Sequence, residues 1–310
     1  MKIKKDLIIF DIDGVLIDVR KSYRKAVIAA VHAYLNNYLG LKIKKAVLSD
    51  RIISEFKKCS GFNNDWDLTA AAISYIVYAE KKKENIDFER FISQVEKRGG
   101  GLRGVRKVLG KLPREVEYTG DVKTGNTVKR IFQEFYFGSA GFKKVFGLTP
   151  VYFEGAGLVS KESLCIERKL LAKLRMDFKL GIATGRDSFE SNMALEMHKI
   201  KNYFDVITTD EDIKTDEKIF GKKGLSKPNP YILEKTVKKS RCKGRILFLG
   251  DTRDDIMAAS SCRMYDVISI GCVYAVNNKR DVEKTLLASG AAAVIRRPSE
   301  LPEVINCLRK

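Results

Sequence analysis

Short apolar runs recur along this chain, and several of them stop at a polar cluster. Residues 7–10 (Leu-Ile-Ile-Phe) carry no polar side chain and end at Asp11. A run of that length, bounded by a loop signal, predicts a strand buried on both faces, as in a parallel sheet. Residues 178–183, 205–208 and 245–249 repeat the pattern, and 267–270 and 293–295 are two shorter candidates. Between them the apolar spacing turns helical, over 161–174, 187–197, 231–239, 254–261 and 282–288. Such alternation predicts an α/β fold, a parallel sheet with helices on both faces.

Residues 20 to about 160 break the alternation. Helical periodicity runs over 20–39, with Val27, Val31, Tyr34 and Leu35 on one face, and returns over 47–58, 68–83, 87–95 and 128–136. Strand signals are scarce there. A large, mostly helical insertion at 19–161 is therefore expected after the first strand, leaving 1–18 and 162–310 as the α/β unit. Within it, Gly99-Gly100-Gly101 opens a basic stretch that runs to Arg114. No strand–GxxxxGK[ST]–helix context surrounds these glycines, so a mobile connection or a basic helix face is expected rather than a nucleotide site.

Composition narrows the classes. The 310 residues, 45% hydrophobic and 31% charged, suit one or two globular domains and exclude wholesale disorder. The longest apolar stretches, 68–79 and 26–41, fall short of the roughly 20 residues of a membrane-spanning helix. Four apolar residues near the N-terminus are too few for a secretory signal, whose apolar region needs about 7–15. A cytoplasmic location is expected, with no membrane association. The six cysteines are scattered without a C-x-x-C pair, which predicts free thiols. The net charge is +19, and the insertion holds 27 basic against 14 acidic residues, leaving it +13. That excess fits a solvated surface, attraction for an anionic small molecule, or a nucleic-acid face.

Four short motifs follow strand ends or open helices. Asp11-Ile12-Asp13-Gly14-Val15 places two carboxylates where open α/β sheets bind ligands. Crowding them is costly unless a cation lies between them or one stays protonated, and Gly14 permits the tight turn. Taken alone, D-x-D also suits a solvated turn. Gly250-Asp251-Thr252-Arg253-Asp254-Asp255 puts another carboxylate at a strand end, so that Asp11, Asp13 and Asp251 form an oxygen-rich site of the kind Mg²⁺ prefers. Asp254 also reads as a helix cap. In Ala183-Thr184-Gly185-Arg186 a hydroxyl and backbone N–H groups at a helix start can bind an anion or cap the helix. In Ser226-Lys227-Pro228-Asn229-Pro230 the prolines set a helix start that could hold Lys227 toward a common site.

In that order, the four motifs resemble those of the haloacid dehalogenase superfamily of phosphohydrolases. Asp11–Val15 is similar to its DxDG[TV][LV] motif, Thr184 to its second, Lys227 in KPxP to its third, and Gly250–Asp255 to its GDTxxD. The resemblance covers about 1–18 and 162–310 as a Rossmann-like core, and the insertion resembles the cap of the phosphoglycolate-phosphatase-like subfamily IA. More narrowly, DGVLIDVRKSYRKAV and GFNNDWDLT resemble an uncharacterised archaeal and cyanobacterial branch. At 143 residues the cap is longer than is usual there.

The resemblance implies that Asp11 attacks phosphorus to form an aspartyl-phosphate, and that Asp13 acts as general acid and then base. It implies Mg²⁺ bound by Asp11, the Asp13 carbonyl and Asp251, with Asp255, or else Asp254, ordering metal-bound water. Lys227, Thr184 and Gly185 would bind the phosphoryl group. A second aspartate, Asp13, favours a phosphatase over a dehalogenase. A phosphomutase, a nucleotide or pyrophosphate hydrolase, and a basic protein binding nucleic acid or another anionic partner are the alternatives, the nucleic-acid role being disfavoured because no aromatic residues interleave with the basic runs. The expected partner is a small phosphorylated metabolite, and the expected state a monomer or homodimer. Arg20, Tyr23 and Arg24, just after the first motif, and Asn63, Asn64, Asp65 and Trp66 in a polar loop are candidates for contacting the leaving group. The loop also reads as a capped turn, with Asp65 or Asp67 as the cap.

Overall fold

The structure, a computed structural model, describes residues 5–43, 48–62, 64–83 and 87–309. Val47 and Asn63 lie outside the described residues. The first apolar run forms β1 (Asp6–Phe10), whose residues Leu7 to Phe10 have no exposed surface. Then come a two-residue strand β2 (Ile17–Asp18) and helices α1 (Tyr23–Ala33), α2 (Asp50–Lys58), α3 (Asp65–Lys82), α4 (Phe88–Lys97), α5 (Gly101–Leu109) and α6 (Thr127–Phe146). Beyond them lie β3 (Ser163–Leu164), α7 (Arg168–Asp177), β4 (Phe178–Ala183), α8 (Ser188–Met197), β5 (Val206–Thr208), α9 (Asp210–Phe220) and α10 (Tyr231–Ser240). The chain ends with β6 (Ile246–Gly250), α11 (Arg253–Ser260), β7 (Val267–Cys272), α12 (Lys279–Ala288), β8 (Ala293–Ile295) and α13 (Leu301–Arg309).

Contacts divide the chain into two compact units, Met1–Asp18 with Ser163–Lys310, and Val19–Glu162. In the first, six strands form a parallel sheet in the order β5-β4-β1-β6-β7-β8. This is the α/β, Rossmann-like architecture read from the strand–helix alternation. Strand order reverses beside β1: β4 and β5 extend to one side, and the chain then crosses to β6 on the other. Ligands of open α/β sheets bind outside the strand ends at such a point. Register does the rest, because Phe10 pairs with both Ile182 and Leu249. Asp11, Thr184 and Asp251, one or two residues further on, therefore leave the sheet at nearly one level. Beneath them one face is filled by Leu7, Ile9, Phe248, Ile232, Leu233 and Val237.

The segment expected to be helical over 161–174 begins its helix later, at Arg168. Leu164 and Ile166 supplied apolar spacing that looked helical, but Leu164 pairs with Ile17 in the small antiparallel β2–β3 sheet. Helix α9 escaped detection because its sequence, DEDIKTDEKIF, buries only Asp210 and Ile213. α13 was likewise not anticipated.

The second unit is helical, as the spacing implied. Tyr23, Phe132 and Tyr136 stack within it, the Tyr23 and Tyr136 rings 4.4 Å apart. The glycine-rich stretch is the start of α5, with Arg103, Arg106 and Lys107 exposed along it, so a basic helix face replaces the alternative of a mobile connection. A Cβ on Gly100 would fall 2.1 Å from the Ser60 carbonyl oxygen, so glycine there allows two backbones to touch. Among the described residues no helix is long and apolar enough to cross a membrane, and all six cysteines are free.

Candidate active site

Asp11 is the first residue beyond β1, 4% exposed, and its N–H donates to the Leu249 carbonyl of the neighbouring strand (2.9 Å). Its Oδ1 accepts the Ile12 N–H at 2.8 Å. Gly14 turns the chain back with φ +73°, and a Cβ there would lie 2.0 Å from Asp251 Oδ2. Only glycine lets this loop approach Asp251 so closely. Tyr274 donates its hydroxyl to the Val15 carbonyl (2.8 Å) and fixes the far side of the same turn.

Three carboxylates converge here. Asp11, Asp251 and Asp255 each offer an oxygen, all within 4.8 Å of one another. Asp255 has no exposed surface; its Oδ2 accepts from the Thr252 N–H (3.0 Å) and hydroxyl (2.6 Å) at the start of α11. Asp254 is buried next to it but stands outside the cluster. Lys227 is wedged among them, its Nζ 2.7 Å from Asp255 Oδ1 and 3.4 Å from Asp11 Oδ2, and it donates to the Ala183 carbonyl at 2.9 Å. That last bond ties the lysine to the residue just before Thr184, whose side chain is fully buried.

The electrostatics follow from this crowding. Burial pushes the Asp11 carboxyl up to about 7; Lys227 opposes the rise, and Asp255 and Asp13 add to it. Burial works against the charge on Lys227, but Asp11 and Asp255 outweigh it and hold the ammonium above its ordinary range. A cation beside such a carboxylate would favour its ionised form. The donor set is all oxygen, with two of its three carboxylates buried, which fits Mg²⁺.

Asp13 does not join the cluster with its side chain. Its Oδ1 meets Arg186, at 2.7 Å from Nε and 2.6 Å from Nη2. Arg186 closes the motif Ala183-Thr184-Gly185-Arg186, in which the anion-binding pattern points to the hydroxyl and the glycine. The signal was present: a cation directly after an anion-binding pair. Its burial, 3% exposed, depends on a partner in the first motif 173 positions away, which no local pattern records.

Five candidate residues of the helical unit, Tyr23, Arg24, Asn64, Asp65 and Trp66, have structural partners inside that unit. Tyr23 is buried between Phe132 and Tyr136. Arg24 donates to the Ser54 hydroxyl at 3.2 Å. Asn64, rather than Asp65 or Asp67, caps α3, accepting the N–H groups of Trp66 (2.8 Å) and Asp67 (3.3 Å). Asp65 pairs with Lys57 at 3.1 Å. Trp66 is 8% exposed, with the Lys129 ammonium 4.0 Å above its ring. Arg20 is half-buried near the start of the unit.

Residues 5–263 match the model of a known family, described as haloacid dehalogenase-like hydrolase. No curated protein matches the chain. Among solved structures, phosphatase Tt82 from Thermococcus thioreducens is 24% identical over 91% of this chain and 99% of its own, with a TM-score of 0.59. A predicted phosphoglycolate phosphatase from Haemophilus somnus is 13% identical over 96% and 97% of the two chains, with a TM-score of 0.56. A conserved haloacid dehalogenase-like protein of unknown function from Agrobacterium tumefaciens is 17% identical over 99% and 100%, with a TM-score of 0.51. At such identities the likeness establishes the fold.

Proposed function

Because the chain belongs to the haloacid dehalogenase-like hydrolase family, we propose that it is a Mg²⁺-dependent phosphatase of small phosphorylated metabolites, of the phosphoglycolate-phosphatase-like subfamily. The observation that carries this reading is the buried carboxylate Asp11, with Asp251 and Asp255 within 4.8 Å and Lys227 at 3.4 Å, followed two residues on by a second acid.

Asp11 attacks phosphorus: its oxygen–phosphorus bond forms as the ester bond breaks, leaving an aspartyl-phosphate. Asp13 gives its proton to the departing alkoxide, then takes one from the water that attacks the same phosphorus and restores Asp11. Lys227 screens the nucleophile, and Thr184 with the Gly185 N–H binds the phosphoryl oxygens. Asp11, the Asp13 carbonyl and Asp251 would hold Mg²⁺, with Asp255 supporting them, and the ion would supply the positive charge that lets a carboxylate approach a phosphate dianion. The unit Val19–Glu162 acts as a cap that selects the leaving group, with Arg20 and Arg24 as its contacts; its charge of +12 favours a substrate with a second anionic group.

The test is turnover of p-nitrophenyl phosphate and of a panel of phosphorylated metabolites by the purified protein. Mg²⁺-dependent release of phosphate, abolished by EDTA and restored by Mg²⁺, is expected; full turnover in chelator would sink the metal role. The exposed arginines of α5 favour a second reading, binding of an anionic polymer. Retention on heparin at moderate salt, with no phosphate release from any substrate, would select it.

A further inference from the structure

Arg186, like Lys227, is a buried cation of the α/β unit. Its side chain is 1% exposed, whereas that of its partner Asp13 is 31% exposed. The backbone holds it from both sides: its N–H donates to Thr184 Oγ1 (3.2 Å), and its carbonyl accepts the Asp210 N–H at the start of α9 (3.0 Å). Nε and Nη2 both converge on a single oxygen, Asp13 Oδ1. A planar guanidinium gripping one oxygen with two nitrogens fixes the plane and rotation of a carboxylate in a way a lysine ammonium does not.

We propose that Arg186 is the positioning residue for Asp13: it pins Oδ1 and turns Oδ2 toward the leaving group as the oxygen that exchanges the proton. The proposal rests on Asp13 serving as the acid and base of the proposed phosphatase. A carboxylic acid that must reach a departing oxygen within hydrogen-bond distance loses effectiveness when it can rotate away, and general acid–base catalysis is worth about 10²–10⁴-fold. Asp13 is partly exposed on the loop after β1, and the Arg186 guanidinium is the group that meets its Oδ1.

The experiment separates proton delivery from phosphate binding by the leaving group. kcat/KM reports only the first phosphoryl transfer, in which an alkoxide needs a proton and p-nitrophenolate hardly does. For Arg186→Met, kcat/KM for an alkyl phosphate such as glycerol 3-phosphate is expected to fall about 100-fold, and for p-nitrophenyl phosphate less than about fivefold. Inhibition by inorganic phosphate should be unchanged. Arg186→Lys, which keeps a buried cation and guards against a folding failure of the methionine variant, should show the same split at a smaller size. In an Asp13→Asn background neither substitution should widen the split further. Equal losses on both substrates, or weakened phosphate inhibition, in both Arg186 variants would overturn the proposal and make Arg186 a phosphate ligand or a fold support. If Asp13→Asn itself shows no split, the acid–base reading of Asp13 fails, and the proposal with it.

Discussion

The two units both bury carboxylates, and they treat them in opposite ways. In Val19–Glu162, Glu134 has no exposed surface, yet its Oε2 accepts the N–H groups of Val151 (2.9 Å), Tyr152 (2.6 Å) and Phe153 (3.2 Å), and Oε1 meets Arg130 at 3.1 Å. Glu162 likewise accepts from the hydroxyls of Ser22 (2.9 Å) and Tyr136 (3.0 Å). Each is satisfied by hydrogen-bond donors and has no second carboxylate against it among the contacts named. In the α/β unit, Asp11 is buried against two further carboxylates and shares one lysine with Asp255. Burial alone therefore does not mark a site. The mark is a buried charge whose nearest neighbours include its own kind, an arrangement that folding alone would not favour.

Removing the crowded carboxylate should cost function and removing the satisfied one should cost stability. Asp11→Asn keeps the shape and takes away the proposed nucleophile, so turnover should fall by about 10⁴-fold or more while the melting temperature holds or rises. Steady-state kinetics with a melting curve on the same sample checks both halves. A variant that kept wild-type kcat would end the covalent mechanism. Glu134→Ala reverses the pattern. Three backbone N–H groups lose their acceptor, at a cost of about 3 kcal/mol, so urea unfolding should shift to lower midpoint. Turnover of p-nitrophenyl phosphate per folded molecule should stay within about twofold. A large fall in that value, without unfolding, would mean that the satisfied carboxylates of the insertion also serve the chemistry.

The next difference is one of pH. Asp11 ionises near pH 7 in the folded chain without metal, against an ordinary 3.8. Between those values the folded state binds a proton that the unfolded state has lost, so this group's contribution to stability is fully present below about pH 4 and is lost as pH rises toward 7. Mg²⁺ needs Asp11 ionised, and therefore competes with that proton. The rise in melting temperature on adding Mg²⁺ should be larger at pH 8 than at pH 5, up to the equivalent of about 2.7 kcal/mol at a hundredfold excess over Kd. Asp11→Asn should flatten the difference. Equal stabilisation at both pH values would place the cation elsewhere.

Legibility in the sequence followed the same division. Every strand of the parallel sheet was visible because each is an apolar run with a sharp end, and β4 and β8 matched their predicted bounds residue for residue. The carboxylates Asp11, Asp251 and Asp255 were visible because short motifs fix them at those ends, and the register of β1 with β4 and β6 brings the ends together. What escaped depends on partners distant in sequence. The Asp13–Arg186 pair spans 173 positions, and no local pattern records it. α9 hides because a mostly exposed helix has little apolar periodicity to show. Asn64 and Asp65 looked like ligand-contacting residues because a polar loop with a tryptophan has the composition of a site; a capped helix start has that composition too.

Asn64 sets the smallest and cleanest test of that ambiguity. Its side-chain oxygen takes the N–H groups of Trp66 and Asp67, two of the four that a helix start leaves without intrahelical partners. Asn64→Ala leaves them to water, at a cost of about 1 kcal/mol. The loss is local, since α3 is held along its length by buried residues from Trp66 to Val77. Melting temperature should therefore drop by a few degrees, and Asn64→Asp or Asn64→Ser should restore it, because either side chain offers an oxygen in the same place. If capping is the whole role, kcat/KM should stay within about twofold of wild type for p-nitrophenyl phosphate and for the best metabolite alike. A loss confined to the metabolite, left unrepaired by Asn64→Ser while the melting temperature recovers, would show that this loop reads the leaving group, and the division between a satisfied insertion and a crowded α/β unit would fail at this residue.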